Sequence, residues 1–240
     1  MKVLRPTAFA PAMLISSNAT ETAAAWSSGT TYAQNAIVDY GISYYQSLQN
    51  SNTNHLPDEA GSTWWVRISP DNKHAMFDGQ GSTQTVRNAS LTVNVATGVI
   101  DSVYFGNVNA GSIHVTVRDG LGGTIVYEDT QYLDGSVITD WYEYFFFDPT
   151  FLRNQALFTG IPPFASSHVE VVFDHGTSDA KVGVMTFGTI FQLGSTEFGA
   201  TSCIIDYSVK ETDEFGNTTF LQRAYSKRID RKSTRLNSSH

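Results

Sequence analysis

The chain holds one cysteine, Cys203, in 240 residues, which excludes an intrachain disulfide and any cysteine-rich metal cluster. Charge is scarce too: only 16% of residues are charged, and 15 basic against 23 acidic side chains leave a formal charge of −8. The basic residues are scattered, so the electrostatic footprint of a nucleic-acid binder is missing. Anionic membrane surfaces would repel such a chain. No run approaches the ~20 apolar residues of a membrane span. No internal repeat and no sustained helical period is present, although "TETAAAW" suits a turn or two of helix. No glycine-rich phosphate loop or Ser–His–Asp arrangement can be read, and Cys203 sits in an apolar segment with no base nearby.

What remains is a composition suited to sheets. Gly, Ser, Thr, Asn, Val and Tyr are plentiful, and 41% of residues are hydrophobic, enough for an ordinary core. Strand candidates follow at short spacing: "SLTVNV", "DSVYF", "SIHVTVR", "GTIVYED", "DWYEYFFF", "HVEVVF" and "KVGVMTFGTIF". Turn signals separate them, among them "ATG", "NAG", "DGLGG", "DGS", "GIPP" and "DHGTSD". This pattern predicts an all-β fold: an antiparallel β-sandwich or jelly roll over residues 70–199. A smaller aromatic, turn-rich, three-stranded unit precedes it over 23–69, with strand-like stretches at Val38–Asp39, Tyr44–Leu48 and Trp65–Ile68. "IIDYSV" alternates and "DEFGN" supplies a turn, so residues 200–229 read as a hairpin opening a truncated third unit.

The two ends of the sequence differ from the rest. Residues 1–22 begin with basic residues and an apolar stretch, but Pro6 and Pro11 interrupt it, so they read as an extended arm and not a signal peptide. The sequons at Asn18, Asn88 and Asn217 are then chance matches. Residues 230–240, "DRKSTRLNSSH", break the alternation and look like the in-frame translation of a sequencing adapter; a disordered basic tail is the alternative. Leaving out Arg231, Lys232, Arg235 and Asp230 takes the count to 12 basic and 22 acidic residues, or −10. On the adapter reading, natural sequence continues beyond Ile229.

"STWWVRI", residues 62–68, places Trp64 and Trp65 side by side. In a strand, neighbours point to opposite faces, so one indole enters the core and the other turns outward. The outer ring has three readings: packing against the next domain, contact with a sugar, or an incidental surface position.

The stretches "AWSSGTTYAQNAIV", "YGISYYQS", "LPDE" and "TWWV" resemble the small chitin-binding carbohydrate-binding modules of families 5 and 12. The resemblance places Trp26, Tyr32, Tyr45 and Trp65 in the module core, with Val38 and Pro57 at matching positions. Asn35 and Ala36 stand where Gly and Asp are usual, and Gln49 and Asn50 hold the places of the aromatic pair that builds the family's sugar platform. Aromatic rings stack on the apolar face of a pyranose much as they stack on bases, at roughly 1–3 kcal/mol per ring. The carbohydrate-contact candidates are therefore Trp64, Tyr44 and Tyr40, with Tyr40 or Tyr44 expected beside Trp64, and the Asn50 and Gln49 amides as hydrogen-bonding groups.

A second resemblance runs through "KVLRPT", "HAMFDG", "TDWYEYFF" and "IIDYSVKETDEFGNTTFLQRAYSKR". These strings look like a tailed-bacteriophage virion protein that carries such a module before a β-rich body. The resemblance implies a non-enzymatic tail or baseplate component, located in the virion and oligomeric there. Its partners would be other virion proteins and host cell-surface polysaccharide, without nucleic acid or a membrane span. The rival readings are a carbohydrate-binding adsorption protein and an accessory module of a secreted polysaccharide hydrolase. The absent signal counts against the last.

Catalysis finds little support in the sequence. His168, Glu170 and Asp174 fall on one face of "HVEVVFDH", opposite Val169, Val171 and Phe173, as in any half-exposed strand. Asp140, Glu143 and Asp148 lie among rings, of which Trp141, Phe145 and Phe147 read as core. Asp78–Gly79, Asp119–Gly120 and Asp134–Gly135 are turn pairs before they are calcium ligands. No cofactor, metal or catalytic residue is expected.

Overall fold

A computed structural model of the chain describes residues 2–133, 141–146, 153–192, 201–206, 209–212, 218–221 and 225–230. The chain divides into two compact units, Leu4–Ile190 and a second made of Met1–Val3 with Phe191–His240.

The arm supplies two strands, β1 (Lys2–Pro6) and β2 (Leu14–Ser17), separated by a single 3-10 turn at Pro11–Met13. β2 pairs with β8 and β1 with β13. The following module holds β3 (Thr31–Tyr32), β4 (Ile37–Tyr40), β5 (Ser43–Ser47), β6 (Asn52–Thr53) and β7 (Trp65–Pro70). β4, β5 and β7 form a three-stranded antiparallel sheet, and β3 pairs with β6. With so little apolar material, a few large side chains carry the burial. Val38 and Trp65 are the fully covered ones. The Trp65 indole N–H donates to the His55 carbonyl at 2.9 Å, and its ring meets Tyr32 edge-on at 5.2 Å.

The body contains β8 (Thr85–Ala96), β9 (Ser102–Asn109), β10 (Ser112–Asp119), β11 (Ile125–Tyr132), the helix α1 (Trp141–Phe146), β12 (Gln155–Thr159) and β13 (Ser167–Gln192). One antiparallel array runs β11-β10-β13-β8-β2, and β9 pairs with β12 and with the later part of β13. Alternation produces the core: Leu91, Val93 and Val95 of β8, Ile113, Val115 and Val117 of β10, and Val169, Val171 and Phe173 of β13 all point inward. Phe105 of β9 closes it, edge-on to both Phe158 at 5.9 Å and Phe173 at 5.1 Å. The molecule is all-β, a small module followed by a sandwich-like body. Beyond residue 200, β14 (Thr201–Asp206) pairs with β17 (Tyr225–Asp230), and β15 (Val209–Thr212) pairs with β16 (Thr218–Leu221).

Two local expectations fail. "WYEYFF" is helical where a strand was predicted, and Trp141 and Phe145 are 76% and 71% exposed, not core. Aromatic residues favour strands in general, but here rings four residues apart stack along the helix, Trp141 on Phe145 and Tyr142 on Phe146. "DHGTSD" is not a turn either. β13 passes through it as one strand, because Gly176 takes φ +65 and the register against β8 jumps from Asp174↔Ser90 to Asp179↔Asn88. The extra residues are absorbed as a bulge. The Asp134–Gly135 pair, Asp140, the Glu143 side chain, Phe147, Asp148, the "DEFGN" turn and residues 231–240 lie outside the described residues.

The arm is anchored through a glycine. A Cβ added at Gly188 would meet the Arg5 carbonyl oxygen at 2.0 Å, and the neighbouring Thr7 N–H donates to the Phe187 carbonyl at 2.9 Å. Gly188→Ala should therefore destabilise the protein by about 1–3 kcal/mol, the usual cost of overpacking. Urea unfolding measures this; an unchanged midpoint would show that the arm does not pack there.

Candidate functional site

The aromatic residues singled out in the sequence do not converge on one platform. Trp64 lies outside the module core as alternation requires, and its ring stacks on His55 at 4.1 Å with 9° between planes. Tyr44 pairs at the opposite end of the β5–β7 ladder, across from Ser69, while Ser47 faces Trp65. Tyr40 is edge-on to Trp26 at 5.5 Å and to Tyr45 at 6.4 Å, so it belongs with the core rings. Neither Tyr40 nor Tyr44 is therefore the neighbour of Trp64. Gln49 donates to the Thr63 carbonyl and the Asn50 side chain accepts the Gln34 N–H, both at 3.0 Å, so these two amides tie their loop to the segments on either side.

Tyr44 has a different employment. Its hydroxyl donates to Glu21 Oε2 at 2.5 Å, and burial followed by that carboxylate pushes its pKa up. Glu21 also accepts the backbone N–H groups of Asn72 at 2.8 Å and Lys73 at 3.2 Å, and its Oε1 lies 3.7 Å from the Lys73 ammonium. Asp71 accepts from His74 through the main chain at 2.8 Å and pairs with its ring at 2.6 Å. With Asp39 these form a carboxylate trio, one oxygen of each within 4.8 Å of the others. Sequence reading misses it because the three residues come from the arm, β4 and the joint after β7. Such a set has hard-cation chemistry. In Glu21 and Asp71, however, amide donors, Lys73 and His74 already supply the positive partners. The trio works as a knot tying arm, module and body.

The knot has a strained member. Asp39 Oδ1 is buried without a hydrogen-bond partner among the described residues. Burial first, then the carboxylates of Glu21 and Asp71, raise the Asp39 pKa above 3.8. A raised folded-state pKa means that the folded chain holds this proton more tightly than the unfolded chain. Stability from this group is then lost as pH rises from about 4 through the folded pKa. Asp39→Asn should raise the melting temperature at pH 7, with the gain shrinking as pH falls towards 4. Calorimetry across that range checks it; a gain of equal size at both ends would contradict the cause given.

A larger concavity lies at one end of the body, about 580 Å³ in volume. Its floor is a cross-strand row. Ser112 at the start of β10 faces Tyr132 on β11 and Asp174 on β13. Tyr132 and Asp174 are thus two strand spacings, about 10 Å, apart on one face. Backbone bonds fix the rim: Gly111 N–H donates to the Asp174 carbonyl and Leu133 N–H to the Gly111 carbonyl, each at 2.8 Å. Arg153 N–H donates to the Leu133 carbonyl at 3.1 Å, and the Asn154 carbonyl accepts from Val108 at 2.9 Å. The β13 bulge brings His175 and Gly176 into the wall.

The side chains of this cleft are idle. Asn109, Tyr132, Arg153, Asn154 and His175 line it, and among the described residues none has a side-chain hydrogen bond or ion pair. Asp174 differs, since its Oδ1 accepts the Gly176 N–H at 3.0 Å. Tyr132 lines the cleft and is 55% exposed. The arrangement offers a stacking face beside amide, guanidinium and imidazole groups. No linear motif announces it, because its residues come from four separate segments.

The other acid–base candidates stay apart from this cleft or from one another. His168, Glu170 and Asp174 share the outer face of β13, opposite the buried Val169, Val171 and Phe173. Glu170 lies 4.0 Å from Arg118, and Asp174 alone lines the cleft. Asp78 accepts from Gln80 N–H at 2.7 Å and from the Thr83 hydroxyl, a turn role.

No family model matches the chain, and no curated protein matches it. Among solved structures it is similar to the lectin domain of lectinolysin complexed with Lewis B antigen, at 9% identity and TM-score 0.34 over 49% of this chain and 83% of that one. An F5/8 type C domain from Bacteroides fragilis matches at 10% identity and TM-score 0.34, over 48% of this chain and 78% of that one. Chitosan-binding module 1 of a chitosanase/glucanase from Paenibacillus sp. IK-5 matches at 13% identity and TM-score 0.32, over 50% and 84%.

Proposed function

We propose that this chain is a non-enzymatic carbohydrate-binding protein and that its ligand lies in the cleft between Tyr132 and the β13 bulge. One observation carries the reading: five side chains able to contact a sugar converge there with no partner inside the described molecule. A ring with amide, guanidinium and imidazole groups converging on a concavity with a fixed frame is the make-up of a ligand site. Pyranoses suit it, because they present an apolar C–H face to a ring and hydroxyls to amides around it. Hydrolysis suits it less. A glycosidase takes two facing carboxyl groups, and among the described residues the cleft is lined by the one carboxylate of Asp174.

The setting is part of the same proposal. The strings "HAMFDG" and "IIDYSVKETDEFG" support a place in a tailed-phage virion, where an adsorption protein would meet host polysaccharide and other tail proteins. The module would then present Trp64 as a secondary contact at most, since one face of its ring is covered by His55.

Retention on immobilised host-envelope polysaccharide tests the function. Tyr132→Ala should weaken it roughly tenfold, the loss of one stacking ring, while leaving the melting temperature nearly unchanged because the side chain is exposed. Trp64→Ala should leave retention largely intact. Loss with Trp64→Ala but not with Tyr132→Ala would move the site to the module, and no retention on any polysaccharide would overturn the reading.

A further inference from the structure

We infer that the cleft selects a carboxylate-bearing sugar, with Arg153 as the group that receives the acid. The inference rests on the carbohydrate reading of the same cleft and adds the chemical class of the ligand.

The described cations of the chain differ in what they contact. Arg67 donates to the Ser43 hydroxyl at 2.8 Å, Arg118 lies 4.0 Å from Glu170, and Lys73 is 3.7 Å from Glu21. Among the described residues Arg5, Lys181 and Arg153 have no side-chain partner, and the one of these three that lines the cleft, as Asp174 does, is Arg153. Asp174 is not within ion-pair distance of it, and its Oδ1 is engaged by the Gly176 N–H. A guanidinium left free beside a carboxylate it does not contact is available to an anion from outside. His175 is the second idle nitrogen base in the same wall.

Position strengthens the case. Arg153 sits on backbone held on both sides, by its own N–H to Leu133 and by the Asn154 carbonyl to Val108. The planar fork is thus mounted on a fixed rung, which lowers the ordering cost of a bidentate contact. A carboxylate is the planar anion that fits two parallel N–H donors. Tyr132 precedes Leu133, whose carbonyl accepts the Arg153 N–H, so a pyranose stacked on Tyr132 can direct a ring carboxyl toward the arginine. The overall charge of −8 works against any acidic polymer, so such binding needs a local cation at the point of contact. A neutral glycan needs none.

Affinity electrophoresis of the full chain separates the possibilities, with polygalacturonate, alginate and hyaluronate as acidic probes and methyl-esterified polygalacturonate and dextran as neutral ones. The expected result is retardation by at least one acidic polymer and much weaker retardation by its neutral counterpart. Arg153→Gln should weaken that binding roughly 10- to 100-fold, as for loss of a charged hydrogen bond. Arg153→Lys should recover part of it, since it restores charge without the fork. Added salt should weaken the wild type more than the Gln variant. Equal retardation by ester and acid, with Tyr132 still required and Arg153→Gln silent, would overturn the acidic-sugar inference and leave carbohydrate binding standing. Retardation by none of the five polymers would remove both.

Discussion

The candidate site depends on a single constraint: β13 stays in the sheet for 26 residues while carrying a bulge in its middle. Its first half is held by β10 and β8, its second by β8 and β9. Between Asp174 and Asp179 the chain has more residues than β8 can pair, and the surplus carries His175 and Gly176 out beside the paired Asp174. Because pairing continues on both sides, the excursion is rigid and not a loose loop. The cleft is the space beside that excursion, walled on the other side by the end of β11 and the start of β12. A plain two-strand turn at "DHGTSD" would leave no such wall.

A second constraint joins the parts. Glu21, from the arm, accepts hydrogen bonds from Tyr44 in the module and from Asn72 and Lys73 in the joint. Asn72 in turn receives Val86 N–H at 2.8 Å and donates to the Val86 carbonyl at 2.9 Å, at the start of the body. Arm, module and body are therefore stitched through one carboxylate and one amide side chain. The cost is three acidic groups held close together, and Asp39, with the orphaned oxygen, bears most of it. Bulges and like-charge clusters are both local departures from what a sheet prefers; here they fall at the cleft and at the joint.

Where periodicity was the signal, the sequence was readable. The valines of "HVEVVF" and "SIHVTV" point inward as alternation demands, and Trp65 is the buried member of its pair for the same reason. What periodicity could not distinguish was chain geometry under equal composition. "WYEYFF" has strand-forming side chains yet coils, because its rings satisfy one another at helical spacing. "DHGTSD" contains every residue type of a turn, and only the pairing partners on both flanks keep it in the strand. The aromatic platform failed through long-range bonds: nothing near Tyr44 in sequence foretells that Glu21 holds its hydroxyl. The cleft was invisible for the related reason that Asn109, Tyr132, Arg153 and His175 become neighbours only through strand order.

The most direct measurement is an NMR titration of the isotope-labelled protein with the oligosaccharide that it binds best, neutral or acidic. The account predicts that amide shifts concentrate at Gly111, Asn154 and Gly176, around the cleft, while the indole signal of Trp64 stays in place. Shifts gathered around His55 and Trp64 with the bulge silent would contradict it.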